Sequence, residues 1–185
     1  MICVLGVLKT EEGLKIKEEL LSWLIPSYEV ITVEQEAPGR LYEYPAIHLA
    51  ADMAYRTSSD VLYLHTKGAF NRHPVNTDIR RMWRNEFGNL LKAKKYYDLV
   101  DEDPTKPVIA TPIMGPNKET WFNAFVIGPC AAFSVSLSIR PDKDRYVFER
   151  VAGVVPSSDV EVVSPYQVKE GRAIFDLMYE LCKEN

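Results

Sequence analysis

One stretch of the sequence, residues 59–84, limits the fold more than any other part of the chain. Residues 61–64 are β-branched, aliphatic or aromatic and do not alternate with polar residues. Such a run is typical of a strand that is covered on both faces, as strands of a parallel sheet are. His65, Thr66, Lys67 and Gly68 follow at once. The stretch therefore predicts a buried parallel strand that ends abruptly in polar residues.

These polar residues are candidates for a ligand site. Ligands of open α/β sheets bind where the strands end at their carboxyl edge, and here His65, Thr66 and Lys67 supply an imidazole, a hydroxyl and an ammonium group. Gly68 allows a sharp turn or a close approach of the backbone to a ligand. The alternative is that His65 is a surface residue or a hydrogen-bonded structural residue, since a short motif is only a hypothesis.

A helix is predicted after this turn, because apolar residues recur there with helical spacing. They are Ile79, Met82, Trp83, Phe87, Leu90 and Leu91. Arg80, Arg81 and Arg84 lie around the rest of the helix. The helix therefore packs by one face, and its guanidinium groups either bind phosphate or form an ordinary solvated face.

The N-terminal part of the chain predicts a β-α-β unit. Residues 2–8 and 28–33 have the composition of strands, and Thr10 is placed to cap the helix between them. The apolar stripe of that helix is expected at Leu14, Lys17, Leu21, Leu24 and Ile25, with the lysine at its margin. The two strands of such a unit are parallel, so their carboxyl ends lie on one edge.

The remaining elements are predicted from apolar runs and turn residues. Strands are expected at residues 108–113 and 121–127, and helices at residues 45–55, 131–137 and 144–151. Ser164-Pro165-Tyr166-Gln167 has the pattern of a capping box with proline at the first helical position. It predicts a final helix through Cys182.

Length and charge exclude several classes of protein. The chain has 185 residues, of which 46% are hydrophobic, and this suits one globular domain over residues 1–185. The formal net charge of −4 argues against a general nucleic-acid binder, which would carry a basic excess. No apolar run approaches the roughly twenty residues of a transmembrane helix, and no signal-peptide pattern is present. A cytoplasmic protein is expected, of an oligomeric state that the sequence does not indicate.

The cysteines predict neither a disulfide framework nor a metal site. Cys3, Cys130 and Cys182 are odd in number and lack the spacing of metal ligands. Free cysteine behaves as a small apolar residue and is usually buried. We therefore expect reduced, mostly buried thiols.

The run Tyr63-Leu64-His65-Thr66-Lys67-Gly68, followed by Trp83-Arg84 in the next helix, resembles a poorly characterised group of glycosyltransferase-like proteins. Their pattern is a hydrophobic strand that ends in His-Thr/Ser-Lys-Gly, with Trp-Arg in the helix after it. Two flanking elements are similar as well, namely Glu43-Tyr44-Pro45 before the strand and Arg145-Tyr146-Val147-Phe148-Glu149 after it. The resemblance covers residues 43–151 in short, separated matches.

This resemblance implies a compact GT-A-like fold, which is a three-layer α/β/α domain with a mostly parallel sheet. The implied activity is transfer of a sugar from a nucleotide-sugar donor to a saccharide acceptor hydroxyl, as in surface-polysaccharide synthesis. The residues implied to bind the donor and its phosphates are Lys67, Thr66, Gly68, Arg80, Arg84, Thr10 and Glu34. The alternatives are that Thr10 only caps its helix and that Glu34 is only a solvated acid.

The resemblance also implies two catalytic residues and an acceptor site. His65 would orient the donor or the leaving group, and Glu149 would be the base that deprotonates the acceptor hydroxyl. A salt bridge from Glu149 to a neighbouring arginine is the alternative. Trp121 and Asn123 occupy the zone that shapes the acceptor pocket in the resembled group, although the order of residues differs here. Core packing is the alternative for Trp121.

No metal site is predicted. Asp101-Glu102-Asp103 has the Asp-x-Asp spacing of many GT-A enzymes, but it lies in a charged loop and does not directly follow a strand. At the end of the central strand Lys67 would neutralise the donor diphosphate in place of a metal. Such a protein is metal-independent, recruits a divalent metal elsewhere, or has no transferase activity. A nucleotide- or carbohydrate-binding module and a phosphate-handling hydrolase that uses His65 are the alternative functions.

Overall fold

The computed structural model describes residues 1–36, 43–67, 69, 74–92, 105, 107–115, 120, 124–138, 160–164, 166–168 and 171–181. The strands in these ranges are β1 (Ile2–Leu8), β2 (Glu29–Gln35), β3 (Val61–His65), β4 (Val108–Ala110), β5 (Ile113–Met114), β6 (Phe125–Ile127), β7 (Glu161–Val163) and β8 (Tyr166–Gln167). The helices are α1 (Glu11–Leu24), α2 (Tyr44–Thr57), α3 (Val75–Lys92), α4 (Pro129–Ser138) and α5 (Gly171–Leu181).

Six of these strands form one sheet in the order β2-β1-β3-β6-β4-β7. β1 pairs in parallel with β2 and β3, and β4 pairs in parallel with β7. β6 is antiparallel to both of its neighbours, β3 and β4. Five strands therefore run in one direction and end at the same edge. The predicted α/β class with a mostly parallel sheet is confirmed.

Helices pack on both faces of this sheet. α1, α3 and α5 share one core cluster with β1 and β3, in which the large side chains are Leu20, Leu24, Met82, Trp83, Phe87 and Met178. α2 and α4 belong to the cluster on the opposite face. Their facing residues are small, chiefly Ala46, Ala50, Ala54, Ala131 and Ala132, which lets two helices pack closely. The arrangement is compatible with the expected three-layer α/β/α fold.

The first helix begins where the sequence predicts but buries a different face. The hydroxyl of Thr10 accepts a hydrogen bond from the Gly13 N–H at 2.9 Å, which is the expected cap. The buried residues of the helix are Gly13, Ile16, Leu20 and Leu24, whereas Leu14 and Ile25 are exposed. The predicted stripe is therefore confirmed at Leu24 and wrong at Leu14 and Ile25. Gly13 carries no apolar side chain to indicate the buried face, yet a Cβ there would collide with the Leu8 carbonyl.

The capping box predicted at residues 164–167 is wrong. The Ser164 hydroxyl does accept from the Tyr166 N–H at 3.2 Å, but the chain then continues as the strand β8, which pairs in parallel with β5. The Val168 N–H extends this pairing to the Met114 carbonyl at 3.0 Å. Because the backbone groups of this segment pair with β5 and do not form helical hydrogen bonds, the last helix starts later, at Gly171.

The strand predicted over residues 108–113 is two strands in the structure. β4 and β5 lie in different sheets, and Pro112 stands between them, where it has no N–H to donate to a ladder. The buried hydroxyl of Thr111 donates to the Ala124 carbonyl at 3.1 Å. This bond ties the bend to the residue before β6.

The thiols differ from each other in exposure. Cys3 is a free, buried thiol in β1, and burial raises its pKa far above the usual value. Cys130 is also free but is exposed at the start of α4, so the expectation of mostly buried thiols fails for it. Cys182 lies outside the described residues.

Two predicted elements fall partly or wholly outside the described residues. Of the strand predicted at residues 121–127, the structure describes the part from Ala124 onward, and β6 lies within it. The helix predicted at residues 144–151 is not described. Among the helices of the described ranges, none has the length and apolar character that crossing a membrane requires.

Candidate functional site

Polar residues of three adjacent strands meet at the carboxyl edge of the sheet. β1 lies between β2 and β3 and is parallel to both, with Leu8 opposite Gln35 and Gly6 opposite His65. The chain passes from β1 to β2 on one side, and β3 lies on the other side of β1. This places a topological switch point between β1 and β3, which is where open α/β sheets bind ligands. The predicted residues Thr10, Glu34 and His65 all lie at this edge.

The segment that follows β3 is held to β1 by Thr66. The N–H of Thr66 donates to the Gly6 carbonyl at 2.9 Å, and its hydroxyl accepts from the Leu8 N–H at 3.1 Å. The Lys67 N–H then donates back to the His65 carbonyl at 2.8 Å, so the chain bends sharply here. Thr66 therefore extends the β1–β3 pairing and sets the place where Lys67 leaves the sheet.

Arg80 holds the same bend from α3. Its Nη1 donates to the carbonyl of Lys67 at 2.7 Å and to that of Asn76 at 3.3 Å. Its Nε and Nη2 donate to the Glu19 carboxylate on α1, and Nη2 also lies 3.5 Å from the Thr77 hydroxyl. Every nitrogen of this guanidinium group has a protein partner, and the side chain is only 8% exposed. These contacts favour a positioning role for Arg80 over the predicted contact with phosphate.

His65 lies at the end of β3 between aromatic rings and an acid. Its Nε2 is 3.3 Å from Oε1 of Glu43, the residue immediately before α2. The Trp83 ring meets the imidazole edge-on, with ring centroids 5.4 Å apart, and the Tyr63 ring stacks beside it at 6.2 Å. The His65 side chain is 10% exposed and the Glu43 side chain 28%. The carboxylate is therefore the more solvent-facing member of the pair.

Two buried polar atoms flank this pair. The Tyr63 hydroxyl and the Trp83 indole N–H have no hydrogen-bond partner among the described residues. Burial, with a further contribution from the charge of Glu43, raises the pKa of Tyr63 well above its usual value, so the phenol stays protonated at neutral pH. A Cβ on Gly6 would lie 3.6 Å from the Tyr63 hydroxyl and 3.2 Å from Cβ of Ala46. Glycine at this position thus lets α2 approach the edge of the sheet.

Thr10 and Glu34 have protein partners at this edge. Besides capping α1, the Thr10 hydroxyl lies 3.4 Å from the Ala69 carbonyl. Glu34 accepts from Nζ of Lys17 at 2.8 Å, and this hydrogen bond holds the pKa of Glu34 below its usual value. Thr10 thus has the contact of a helix cap, and Glu34 has that of a surface acid, as the alternatives to ligand binding state. A contact with a nucleoside stays a prediction for both.

Lys67 and Arg84 are more accessible than Arg80. Lys67 is half-buried at the bend, and Arg84 is exposed on α3. Arg84 follows Arg80 by four residues, so it lies about one helical turn further along the same side. The remaining predicted site residues, Gly68, Trp121, Asn123 and Glu149, lie outside the described residues, and their roles stay predictions.

Two acids of this site, Glu43 and Glu19, are not predicted by the sequence. Glu43 belongs to the Glu-Tyr-Pro element, whose proline marks a helix start, but no pattern connects it to His65. The sequence places Arg80 outside the apolar face of α3, but the structure buries it, so a solvated face is wrong for this residue. Because arginine is almost never buried unpaired, its burial requires a partner such as Glu19.

No metal ligand set emerges within the described ranges, where His, Cys, Asp and Glu do not come together in groups of three or more. The rejected Asp-x-Asp at residues 101–103 lies outside these ranges. The chain matches no family model, no curated protein and no solved structure. The fold and the site therefore define an α/β protein with a polar carboxyl edge.

Proposed function

We propose that this protein is a GT-A-like nucleotide-sugar transferase that moves a sugar to an acceptor hydroxyl at the carboxyl edge of the sheet. The observation that carries the proposal is the position of Lys67. This residue follows β3 beside the switch point, its carbonyl is bound by Arg80, and the preceding Thr66 is bound to β1. A cationic residue is thereby fixed where open α/β sheets bind their ligands.

An ammonium group on this bend suits the leaving group of such a transfer. The bond between the anomeric carbon and the donor's phosphate oxygen breaks with its electron pair on the diphosphate. A preorganised cation beside those oxygens stabilises the charge that develops, as a metal ion does in other sites. Arg84, exposed on α3, is a second cation for the same diphosphate. The resemblance of residues 63–68 and 83–84 to glycosyltransferase-like proteins supports a nucleotide sugar as the donor.

Binding and turnover of nucleotide sugars test this function. Thermal melting is recorded with UDP-glucose, UDP-N-acetylglucosamine and GDP-mannose, each with and without Mn²⁺. A ligand at 100 times its Kd stabilises a folded protein by about 2.7 kcal/mol. Release of UDP or GDP is then measured with simple methyl glycosides as acceptors. Donor-dependent stabilisation with acceptor-dependent release supports the transferase, and the lack of both with every donor contradicts it.

A binding module without transfer is the second candidate, and the burial of His65 favours it. Nδ1 of the imidazole is buried, and Nε2 faces Glu43, so neither ring nitrogen is placed to orient a donor or its leaving group. The same burial weighs against a phosphate-handling hydrolase that uses His65. Stabilisation by a donor without any release identifies the module. Release that does not depend on an acceptor favours hydrolysis.

A further inference from the structure

We propose that Glu43 is the catalytic base of this transfer and that His65 is its positioning residue. The inference rests on the proposed function, and it gives Glu43 the role that the resemblance assigns to Glu149. Glu43 takes the proton of the acceptor hydroxyl as that oxygen bonds to the anomeric carbon. The bond from this carbon to the donor's phosphate oxygen breaks, and its electron pair leaves with the nucleoside diphosphate.

The side chain of Glu43 does not make the helix-capping contact that is usual at its position. Glu43 occupies the N-cap of α2, where a side-chain oxygen commonly accepts from a free N–H of the first helical turn. It makes no such capping hydrogen bond. Its carboxylate instead contacts His65 at the end of β3. The positive end of the helix dipole and the imidazole N–H both favour a negative charge at this place.

Burial distinguishes the two members of the pair. His65 is enclosed by Trp83, Tyr63 and Glu43, with its Nδ1 buried. An imidazole in this setting orients a neighbour and does not itself reach an acceptor. Glu43 has the more exposed side chain. The geometry thus places the base at Glu43.

Glu43 contacts the same strand end that carries the cation of the proposed donor site. His65 and Lys67 are separated by one residue, and the Lys67 N–H donates to the His65 carbonyl. The carboxylate that contacts His65 and the chain that carries Lys67 therefore leave the same strand end. A transfer needs a base on the acceptor side and a cation on the diphosphate side of the reacting carbon. The end of β3 provides both.

Glu43→Gln tests the base directly. Glutamine keeps the size of the side chain and an oxygen for His65, but it does not take up the acceptor's proton. We expect the Kd for the nucleotide sugar that stabilises the wild type to stay within about 2-fold, and transfer to fall about 10²-fold or more. Glu36→Gln is the matched control, because Glu36 lies at the same edge but is a surface acid paired with Lys9. It should leave both quantities unchanged.

Each outcome separates the base role from the proposed function. Full transfer in a folded Glu43→Gln variant overturns the base role and leaves the transferase intact. Loss of donor binding in that variant also overturns it, because Glu43 then acts in binding. Loss of transfer in Glu149→Gln but not in Glu43→Gln returns the role to Glu149. A wild type that neither binds nor turns over any of the three donors removes the proposed function, and this inference with it.

Variants of His65 test positioning separately from stability. The side-chain amide of His65→Gln still has N–H groups to donate to Glu43, whereas His65→Leu has none. If His65 orients the base, His65→Gln retains more of kcat than His65→Leu, while KM for the donor changes little in either. Equal kcat values in the two folded variants contradict a positioning role. If His65→Leu does not fold, His65→Gln and Glu43→Gln still decide the proposal, since a positioning role predicts a loss of kcat in His65→Gln without a loss of donor binding.

Discussion

The guanidinium group of Arg80 on α3 donates to both carboxylate oxygens of Glu19 on α1, at distances of 2.9 to 3.1 Å. The same group donates to the carbonyl of Lys67. One side chain thus links two helices to the bend at the end of β3. Because the Glu19 side chain is 47% exposed and that of Arg80 only 8%, water can replace Glu19 more easily than Arg80.

We therefore expect Arg80→Ala to lower the free energy of unfolding by about 2 to 3 kcal/mol, because it removes charge-assisted hydrogen bonds to Glu19 and to the carbonyls of Lys67 and Asn76. Glu19→Ala should cost about 1 kcal/mol. The control is Arg81→Ala, on the exposed side of the same helix, which should change stability by no more than about 0.5 kcal/mol. Urea denaturation measures all three. A loss in Arg80→Ala no greater than in Arg81→Ala would show that the observed contacts do not stabilise the fold.

Gly13 is a second position at which stability depends on one close contact. A Cβ at this residue would lie 2.0 Å from the carbonyl oxygen of Leu8, and backbone atoms cannot move aside as a flexible side chain can. Gly13→Ala should cost about 3 kcal/mol, the upper end for overpacking, although alanine favours helices by about 1 kcal/mol. Gly6→Ala, whose Cβ would meet Ala46 at 3.2 Å, should cost less. Denaturation midpoints in which Gly13→Ala matches the wild type would contradict this packing.

Asp60 predicts a dependence of stability on pH. Burial raises the pKa of this carboxyl, at the start of β3, above its usual value. The folded protein therefore binds the proton more tightly than the unfolded chain, and the contribution to stability is present below the unfolded pKa and lost as the pH rises through the folded pKa. Asp60→Asn should accordingly raise Tm at pH 7 and leave it unchanged at pH 3. Asp52→Asn, at a half-buried site paired with Arg56, is the control. An equal gain in Asp60→Asn at both pH values would exclude ionisation as the cause.

The N-terminal half of the fold could be predicted because its signals are local. The apolar runs of β1 and β3 and the cap at Thr10 each specify an element without reference to the rest of the chain. The same reasoning fails at Ser164, where a hydroxyl makes the contact typical of a cap but the following residues find a strand partner in β5. A partner distant in sequence decided between helix and strand there.

The position of the candidate site could be predicted from the sequence, but the pairs of side chains within it could not. His65, Thr66 and Lys67 follow a buried strand, which is enough to place them at a carboxyl edge. The contacts of His65 with Glu43 and of Arg80 with Glu19 join separate elements through the fold. The sequence contains several acids on α1 and near α2, and no pattern distinguishes Glu19 and Glu43 from the others as partners. Only the packing of the helices on the sheet brings these two acids to Arg80 and His65.

Calorimetric titration of UDP and GDP into the wild type, Lys67→Ala and Arg56→Ala tests the central claim most directly. Arg56 is a matched cation at the other end of α2, near the amino-terminal edge of β3. We predict that one nucleotide binds the wild type and that Lys67→Ala weakens this binding by about 1 to 3 kcal/mol, as for a charge-assisted hydrogen bond. Arg56→Ala should bind as the wild type does. Unchanged affinity in Lys67→Ala, or no binding of either nucleotide by the wild type, would contradict the donor site at the end of β3.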